Sequence, residues 1–399
     1  MHVLQLAWEF PPHVVGGMGR HVAELAPALA DAGLRVSIIT PQLHGGMIEE
    51  LLAPNLRVSR VPISPALGAD YPHYVANVSR HLEQAADDVR KTLGRFDVIH
   101  AHDWLTAEAS GRLKHLWRIP LIATIHATER GRGCGHLNGR AAQQINDQEW
   151  LLTYESWRVI VCSQFMARQV SEYFQTPADK IDIVPNGMGV PTNLFAGPED
   201  RLAFRRRFAA DDERLVFYVG RMVSEKGIHI LLDAWPQIAS AKARLLIAGT
   251  GSYLNALQSQ AELAGLSQQV RFLGFVSDED RDKIYQVADV AAFPSLYEPF
   301  GMVALEAFAA GCPLVVSAAG GLAEVVRHGE TGLIVPVGNA AALADAVLEC
   351  MHHPEAARAR AATALREVRE SYAWDRIAES TISLYRRVLG EWQAGIWGK

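Results

Sequence analysis

The stretch Glu298–Gly311 reads EPFGMVALEAFAAG. Two carboxylates bracket a run that is otherwise almost wholly apolar. On one continuous helix their Cα atoms would lie ~12 Å apart along the axis, farther than the ~5–9.5 Å between the acids of a glycoside hydrolase. Pro299 biases Glu298 toward extended backbone, so Glu298 belongs to a loop before the helix. Gly301 then marks the helix start and Gly311 its stop. The segment predicts a strand, a loop and a helix whose first amides, those of Phe300, Gly301 and Met302, are open to an anion. Glu306 lies one turn further in, among Val303, Leu305 and Phe308. As a lone residue it fits an internal salt bridge or a solvent-facing stripe. As the inner member of this pattern it fits a ligand site.

The same strand–loop–helix unit recurs along the chain. Continuous apolar runs at His2–Trp8, Arg35–Thr40, Val58–Val61, Val98–His100, Leu121–Ile125, Val159–Cys162 and Ile181–Val184 read as strands covered on both faces. A second series follows at Leu215–Val219, Arg244–Ala248, Val270–Leu273, Val290–Phe293, Leu314–Ser317 and Gly332–Val335. Helical patterns alternate with both series, which predicts two doubly wound α/β units. The break falls in the Pro-, Gly- and Asn-rich segment Pro185–Arg201. The expected organisation is one Rossmann-like domain over 1–190, a second over 191–375 and a last helix over 376–399. Periodicity leaves open whether that helix stays with the second domain or returns to the first.

The 399 residues suit two domains, and the formal net charge of −6 gives no basic face for nucleic acid. Four dispersed cysteines without CxxC spacing suit reduced thiols and a cytoplasmic location. No apolar run approaches the ~20 residues of a membrane span. The 74–93 helix mixes both charge signs, which argues against membrane contact.

Further candidates lie in loops that follow strands. Gly220–Gly227 (GRMVSEKG) sets Arg221 and Lys226 where a fork and a point charge can converge on one pyrophosphate, or stand as two solvated cations. Gly16 and Gly17, after the first strand, allow close backbone approach to a ligand or simply make a turn. Gly249 and Gly251 form a weaker loop of the same kind. His126 ends the fifth run, where a histidine serves either structure or chemistry. His100 and His102 are only two apart, which makes no convincing metal site.

In these residues the chain resembles the retaining nucleotide-sugar glycosyltransferases of family 4, which have the GT-B fold: two Rossmann-like domains facing a central cleft. Glu298-Pro-Phe-Gly-Met-Val-Ala-Leu-Glu306 is similar to that family's E-x7-E signature, and His100-Ala-His-Asp-Trp104 to the HAHDW stretch of glycogen and starch synthases. The resemblance implies that Glu298 takes the donor sugar's hydroxyls and Glu306 the ribose, while Arg221 and Lys226 clamp the diphosphate. It places His126 beside the sugar, Asp103 near sugar or acceptor, and Asn186 of the Pro-Asn-Gly element near the hinge. It implies transfer of a hexose, glucose from ADP- or UDP-glucose, to a glucan or other sugar acceptor, without cofactor or metal. No carboxylate is credibly placed on the opposite face of the sugar, so front-face displacement is favoured.

One departure is plain. Glycogen and starch synthases usually carry a lysine before their paired glycines, and here the loop reads Val14-Val15-Gly16-Gly17. The insert Glu129–Gly133 (ERGRG) would be either an acceptor-side loop, suited to an acidic or phosphorylated acceptor, or a flexible solvated one. A lipid or sugar-phosphate acceptor, a nucleotide-sugar epimerase and a non-enzymatic sugar-nucleotide sensor are the alternatives. Under the clamp reading, loss of Lys226 is expected to lower turnover far more than stability.

Overall fold

The apolar runs form strands because both of their faces are covered: His2–Leu6, Val98–His102 and Leu121–Ile125 are buried at every residue. The structure is a computed structural model and describes residues 1–64, 70–192 and 194–395. Asn193, inside the break read from the sequence, and residues 396–399 of the last helical segment lie outside the described residues.

The elements run β1 (His2–Leu6), α1 (Gly17–Asp31), β2 (Arg35–Gln42), β3 (Glu49–Ala53), β4 (Leu56–Pro62), α2 (Tyr71–Leu93), β5 (Val98–His102), α3 (Ala107–Trp117), β6 (Leu121–Ile125), α4 (Glu129–Arg132), α5 (Gly139–Glu155), β7 (Arg158–Val161), α6 (Gln164–Phe174) and β8 (Ile181–Ile183). They continue with α7 (Pro198–Arg205), β9 (Arg214–Val219), α8 (Ile228–Ile238), β10 (Ala243–Ala248), α9 (Leu254–Leu263), β11 (Val270–Gly274), α10 (Asp278–Val287), β12 (Val290–Phe293), α11 (Met302–Ala309), β13 (Leu314–Ser317), α12 (Leu322–Val325), β14 (Leu333–Val335), α13 (Ala340–His352), α14 (Pro354–Ser371) and α15 (Trp374–Gln393).

The chain divides into two compact units, Met1–Gly187 with Trp374–Lys399, and Met188–Ala373. The first holds an eight-stranded sheet of order β3-β4-β2-β1-β5-β6-β7-β8. Every pairing in it is parallel except β3 with β4. The second holds a six-stranded parallel sheet of order β11-β10-β9-β12-β13-β14. In both, strand order reverses beside the first strand of the unit, between β1 and β5 and between β9 and β12. Such a switch point is where doubly wound sheets bind ligands, at the carboxyl ends of the strands.

β3 was not expected from the sequence. Its five residues (EELLA) are exposed or half-buried, so an edge strand with no buried face leaves no periodic signal. The last helix packs on the first unit. Ile377, Ala378, Ile382, Tyr385 and Val388 share a core with Val22, Leu25, Ala26 and Leu29 of α1 and with Val3 and Val36 of the sheet. Those α15 positions recur at helical spacing and make one apolar face.

Candidate active site

In the second unit, three loops leave the same edge of the sheet. The loop after β9 ends in a single 3-10 turn, Ser224–Lys226. Its Lys226 Nζ lies 2.7 Å from Glu298 Oε2, and the two side chains are only 17% and 9% exposed. The turn is laced to the loop after β12, because the Glu225 carbonyl accepts from the amides of Leu296 and Tyr297 at 2.8 and 3.2 Å. Gly227 sits at φ +68°, where a Cβ would meet the Pro294 carbonyl oxygen at 2.0 Å. Arg221 is half exposed, with Glu225 3.7 Å away. Tyr218 is fully buried nearby, its phenol raised above its usual range by burial and then by the Glu298 charge.

Pro299 and Phe300 press against the next loop. A Cβ on Gly321 would meet Phe300 Cα at 2.5 Å, and Gly321 N donates to the Glu298 carbonyl at 2.8 Å. Gly301 caps α11 at φ +114°. Among the described residues, the amides of Phe300, Gly301 and Met302 donate to no backbone carbonyl. They form the positive end of α11 beside Glu298, the arrangement that suits a phosphate or sugar oxygen.

Glu306 takes partners on α10. Arg281 Nη1 is 3.5 Å from its Oε1, and the Tyr285 hydroxyl donates to Oε2 at 3.3 Å. The internal salt bridge that the sequence left as one reading of Glu306 therefore exists; ligand binding would have to share this carboxylate with Arg281. The glycines after β10 serve loop packing. A Cβ on Gly249 would strike the Gly220 carbonyl oxygen at 2.0 Å, and one on Gly251 the Met222 carbonyl oxygen at 2.4 Å.

In the first unit, β1, β5 and β6 deliver their ends to one place. Gly16 precedes α1, and a Cβ there would meet nothing within 4 Å; Gly17 is the first residue of α1. The Glu9 carboxylate accepts from the amides of Val15 and Gly16 at 2.8 and 3.1 Å. The loop that lacks the expected lysine thus carries an anion of its own, which the sequence reading missed. Gly19 leaves room for it, since a Cβ would approach the Glu9 carboxylate to 2.7 Å.

Asp103, at φ +58°, turns its carboxylate back to accept the His126 amide at 2.7 Å. Burial pushes this carboxyl up to about 6, against the pull of the Arg132 charge. His126 is buried and neutral, held down at about 3 by desolvation and then by Arg132. Its Nε2 shares a hydrogen bond with His102 Nδ1 at 3.1 Å. Behind them His100 spans Thr124 Oγ1 at 2.7 Å and the Tyr385 hydroxyl of α15 at 2.6 Å. His21 joins from α1, its ring 4.9 Å from that of His126, and is driven well below its usual range by burial.

His21, His102 and His126 bring ligand-type nitrogens within 4.8 Å of one another, a cluster that adjacent-residue spacing could not show. A hydrogen bond accounts for the closeness of two of them. The ERGRG insert forms the short helix α4, capped by the Thr128 hydroxyl on Gly131 N at 3.0 Å. Burial raises Glu149 of α5 to about 8; its Oε1 accepts the Glu129 amide at 2.8 Å. Asn186 is buried, and Gly187 lies against the Trp374 indole, where a Cβ would come to 2.4 Å. That glycine is required by packing inside the first unit, beyond any turn.

Removal of Lys226 is expected to cost stability as well as turnover, because its side chain is paired with Glu298. The sequence could not show that its ammonium neutralises a buried carboxylate. Taking it away leaves that charge uncompensated.

Two Rossmann-like sheets, with an ion-paired lysine and an open helix start after the second unit's switch strands, define a GT-B glycosyltransferase. Residues 15–190 match the description Glycosyltransferase Family 4, and residues 200–367 match Glycosyl transferases group 1. An uncharacterized glycosyltransferase of Methanocaldococcus jannaschii is 36% identical over 394 residues, covering 97% of this chain and 98% of that protein. Glycogen synthase of Mycobacterium tuberculosis is 35% identical over 402 residues, covering 96% and 94%. Among solved structures, a sucrose-phosphate synthase from Thermosynechococcus elongatus superposes with a TM-score of 0.83 at 25% identity, covering 97% of this chain and 99% of that one. The chain belongs to glycosyltransferase family 4. Among the described residues no helix is long and apolar enough to cross a membrane.

Proposed function

We propose that this enzyme transfers a hexose, glucose from ADP- or UDP-glucose, with retention of configuration to a glucan or another carbohydrate acceptor. The observation that carries the donor half is the Lys226–Glu298 pair beside the open amides of α11. A bound diphosphate takes over Lys226 and Arg221, and the released Glu298 carboxylate accepts from the sugar hydroxyls. Glu306 takes the ribose. Charge developing on the leaving diphosphate is met by fixed cations and the helix dipole, which need little reorganisation. Front-face displacement follows, with the leaving diphosphate oxygen accepting the acceptor's proton. His126 is neutral, so it orients and hydrogen-bonds rather than delivering a positive charge. Asp103 acts on it as a positioning residue through the 2.7 Å bond to its amide. The reaction needs no cofactor and no metal, and we place the enzyme in the cytoplasm.

A second reading, a sugar-phosphate acceptor, is favoured by one feature: Arg132 of α4 is the charge felt at Asp103, His126 and Glu149 together. The test is a donor-hydrolysis screen across ADP-, UDP- and GDP-glucose, followed by glucans and sugar phosphates as acceptors. Transfer to glucan supports the first reading and transfer to a sugar phosphate the second. An epimerised donor formed without acceptor, or donor binding with no turnover on any acceptor, contradicts both.

A further inference from the structure

A cavity of about 700 Å³ lies wholly inside the second unit, away from its catalytic loops. It is lined by Arg214 at the start of β9, Asp289 just before β12 and Pro313 just before β13. These are the amino ends of the strands whose carboxyl ends carry Lys226 and Glu298. A six-residue strand such as β9 separates the two edges by roughly 20 Å.

The lining is two-sided in character. Phe195, Leu202, Val287 and Met351 give an apolar wall. Phe195 is held edge-on by Phe204, with ring centroids 5.6 Å apart. The same lining carries four arginines, Arg201, Arg205, Arg214 and Arg358, against one carboxylate, Asp289. Asp289 is already engaged by Arg205 at 3.0 Å, Arg214 at 3.2 Å and the Leu215 amide at 2.8 Å. The Arg201 guanidinium donates to the Gln286 carbonyl, and Arg201 and Arg358 are both exposed to solvent. Such a surplus of cations is unexpected on a chain whose net charge is −6. Arg358 is the fifth residue of α14, whose start, Pro354, reaches the cavity and adds the positive end of a long helix.

We propose that this cavity is a second ligand site, taking a small organic phosphate whose phosphate meets Arg201, Arg214 and Arg358 and whose ring or chain lies on the Phe195–Met351 wall. The volume falls in the range of ordinary small-molecule sites. Occupancy is transmitted along α10. Gln286 and Val287 at its end line the cavity, while Arg281 and Tyr285 of the same helix hold Glu306. The binding half is independent of the donor reading; the coupling half rests on it.

Phenyl phosphate is the probe, with phenol and inorganic phosphate as controls, measured by calorimetry on the whole protein. Phenyl phosphate is expected to bind at least tenfold more tightly than either control. The Arg201→Gln/Arg358→Gln variant should lose at least tenfold of that affinity while keeping its turnover without probe. Leu202→Trp, at an exposed position of the apolar wall and with every arginine kept, should lose it as well. With the probe bound, ADP or UDP affinity should shift severalfold in the wild type and not in the double glutamine variant. Equal affinity for phenyl phosphate and inorganic phosphate, or binding that survives in both variants, overturns the site; the latter would mean that the probe sits in the donor site. Unchanged nucleotide affinity with the cavity filled overturns the coupling alone. Because binding is read without turnover, these outcomes are distinct from failure of the proposed transferase activity.

Discussion

Lys226 and Glu298 can be tested as a coupled pair. At 2.7 Å and an effective dielectric of about 20, their gross attraction is ~6 kcal/mol. Desolvation offsets most of that, so the informative quantity is the loss on removing one partner, ~3–5 kcal/mol for a fully buried pair. The lysine keeps some contact with water, which lowers the expectation for Lys226→Met to about 2–3 kcal/mol. Glu298→Gln keeps the shape and should cost about 1–2 kcal/mol. In the double variant neither charge remains, and its loss should be at least ~1.5 kcal/mol smaller than the sum of the singles. Turnover behaves otherwise. Each single variant loses a group that holds the donor in the transition state, for a fall of about 10²–10³, and the double recovers none of it. Urea denaturation gives the first set of numbers and donor turnover at saturating substrate the second. Stability losses that simply add would mean that the pair is not coupled. A double variant with restored turnover would mean that the two residues do not touch the donor.

Three further outcomes follow from the geometry. Gly301→Ala combines φ +114° with a Cβ 2.8 Å from Leu322 and should cost about 2 kcal/mol or more, whereas Gly16→Ala, with open space around it, should change stability by less than about 1 kcal/mol; similar thermal shifts for both would contradict this. Burial raises Asp103 from 3.8 to about 6 and Glu149 from 4.5 to about 8, so between those values the folded chain keeps protons that the unfolded chain has lost. Their contribution is therefore complete below about pH 4 and is withdrawn as pH rises to about 6 and about 8 respectively; Glu149→Gln should flatten the upper part of that decline in melting temperature, and a decline parallel to wild type speaks against it. Tyr385→Phe leaves buried His100 Nδ1 without its 2.6 Å partner and should lower stability by about 1–2 kcal/mol, while an unchanged urea midpoint would show that this bond ties α15 to the sheet only weakly.

The alternation of apolar runs and helical patterns carried the fold class, because a strand covered on both faces must be apolar throughout. The runs at 215–219, 244–248, 290–293 and 314–317 became β9, β10, β12 and β13 with shifts of no more than a residue. The exposed edge strand β3 escaped because the patterning signal comes from burial, which it lacks. The loop position of Glu298 and the open start of α11 were legible from local rules, proline before a helix and glycine at its cap, whereas local rules left Lys226 as either a clamp or a solvated cation.

What the sequence could not determine is which distant residues meet. Pairing Lys226 with Glu298 requires β9 and β12 to be neighbours, and the sheet order decides that, across 72 positions of chain. The partnership of Glu306 with Arg281, the four-histidine cluster behind Asp103 and the return of α15 to the first unit are of the same kind. Local propensity acts over a few residues and is written in composition and spacing. Burial of charge depends on what the fold packs over it, so the energies and protonation states of the site belong to the tertiary structure alone.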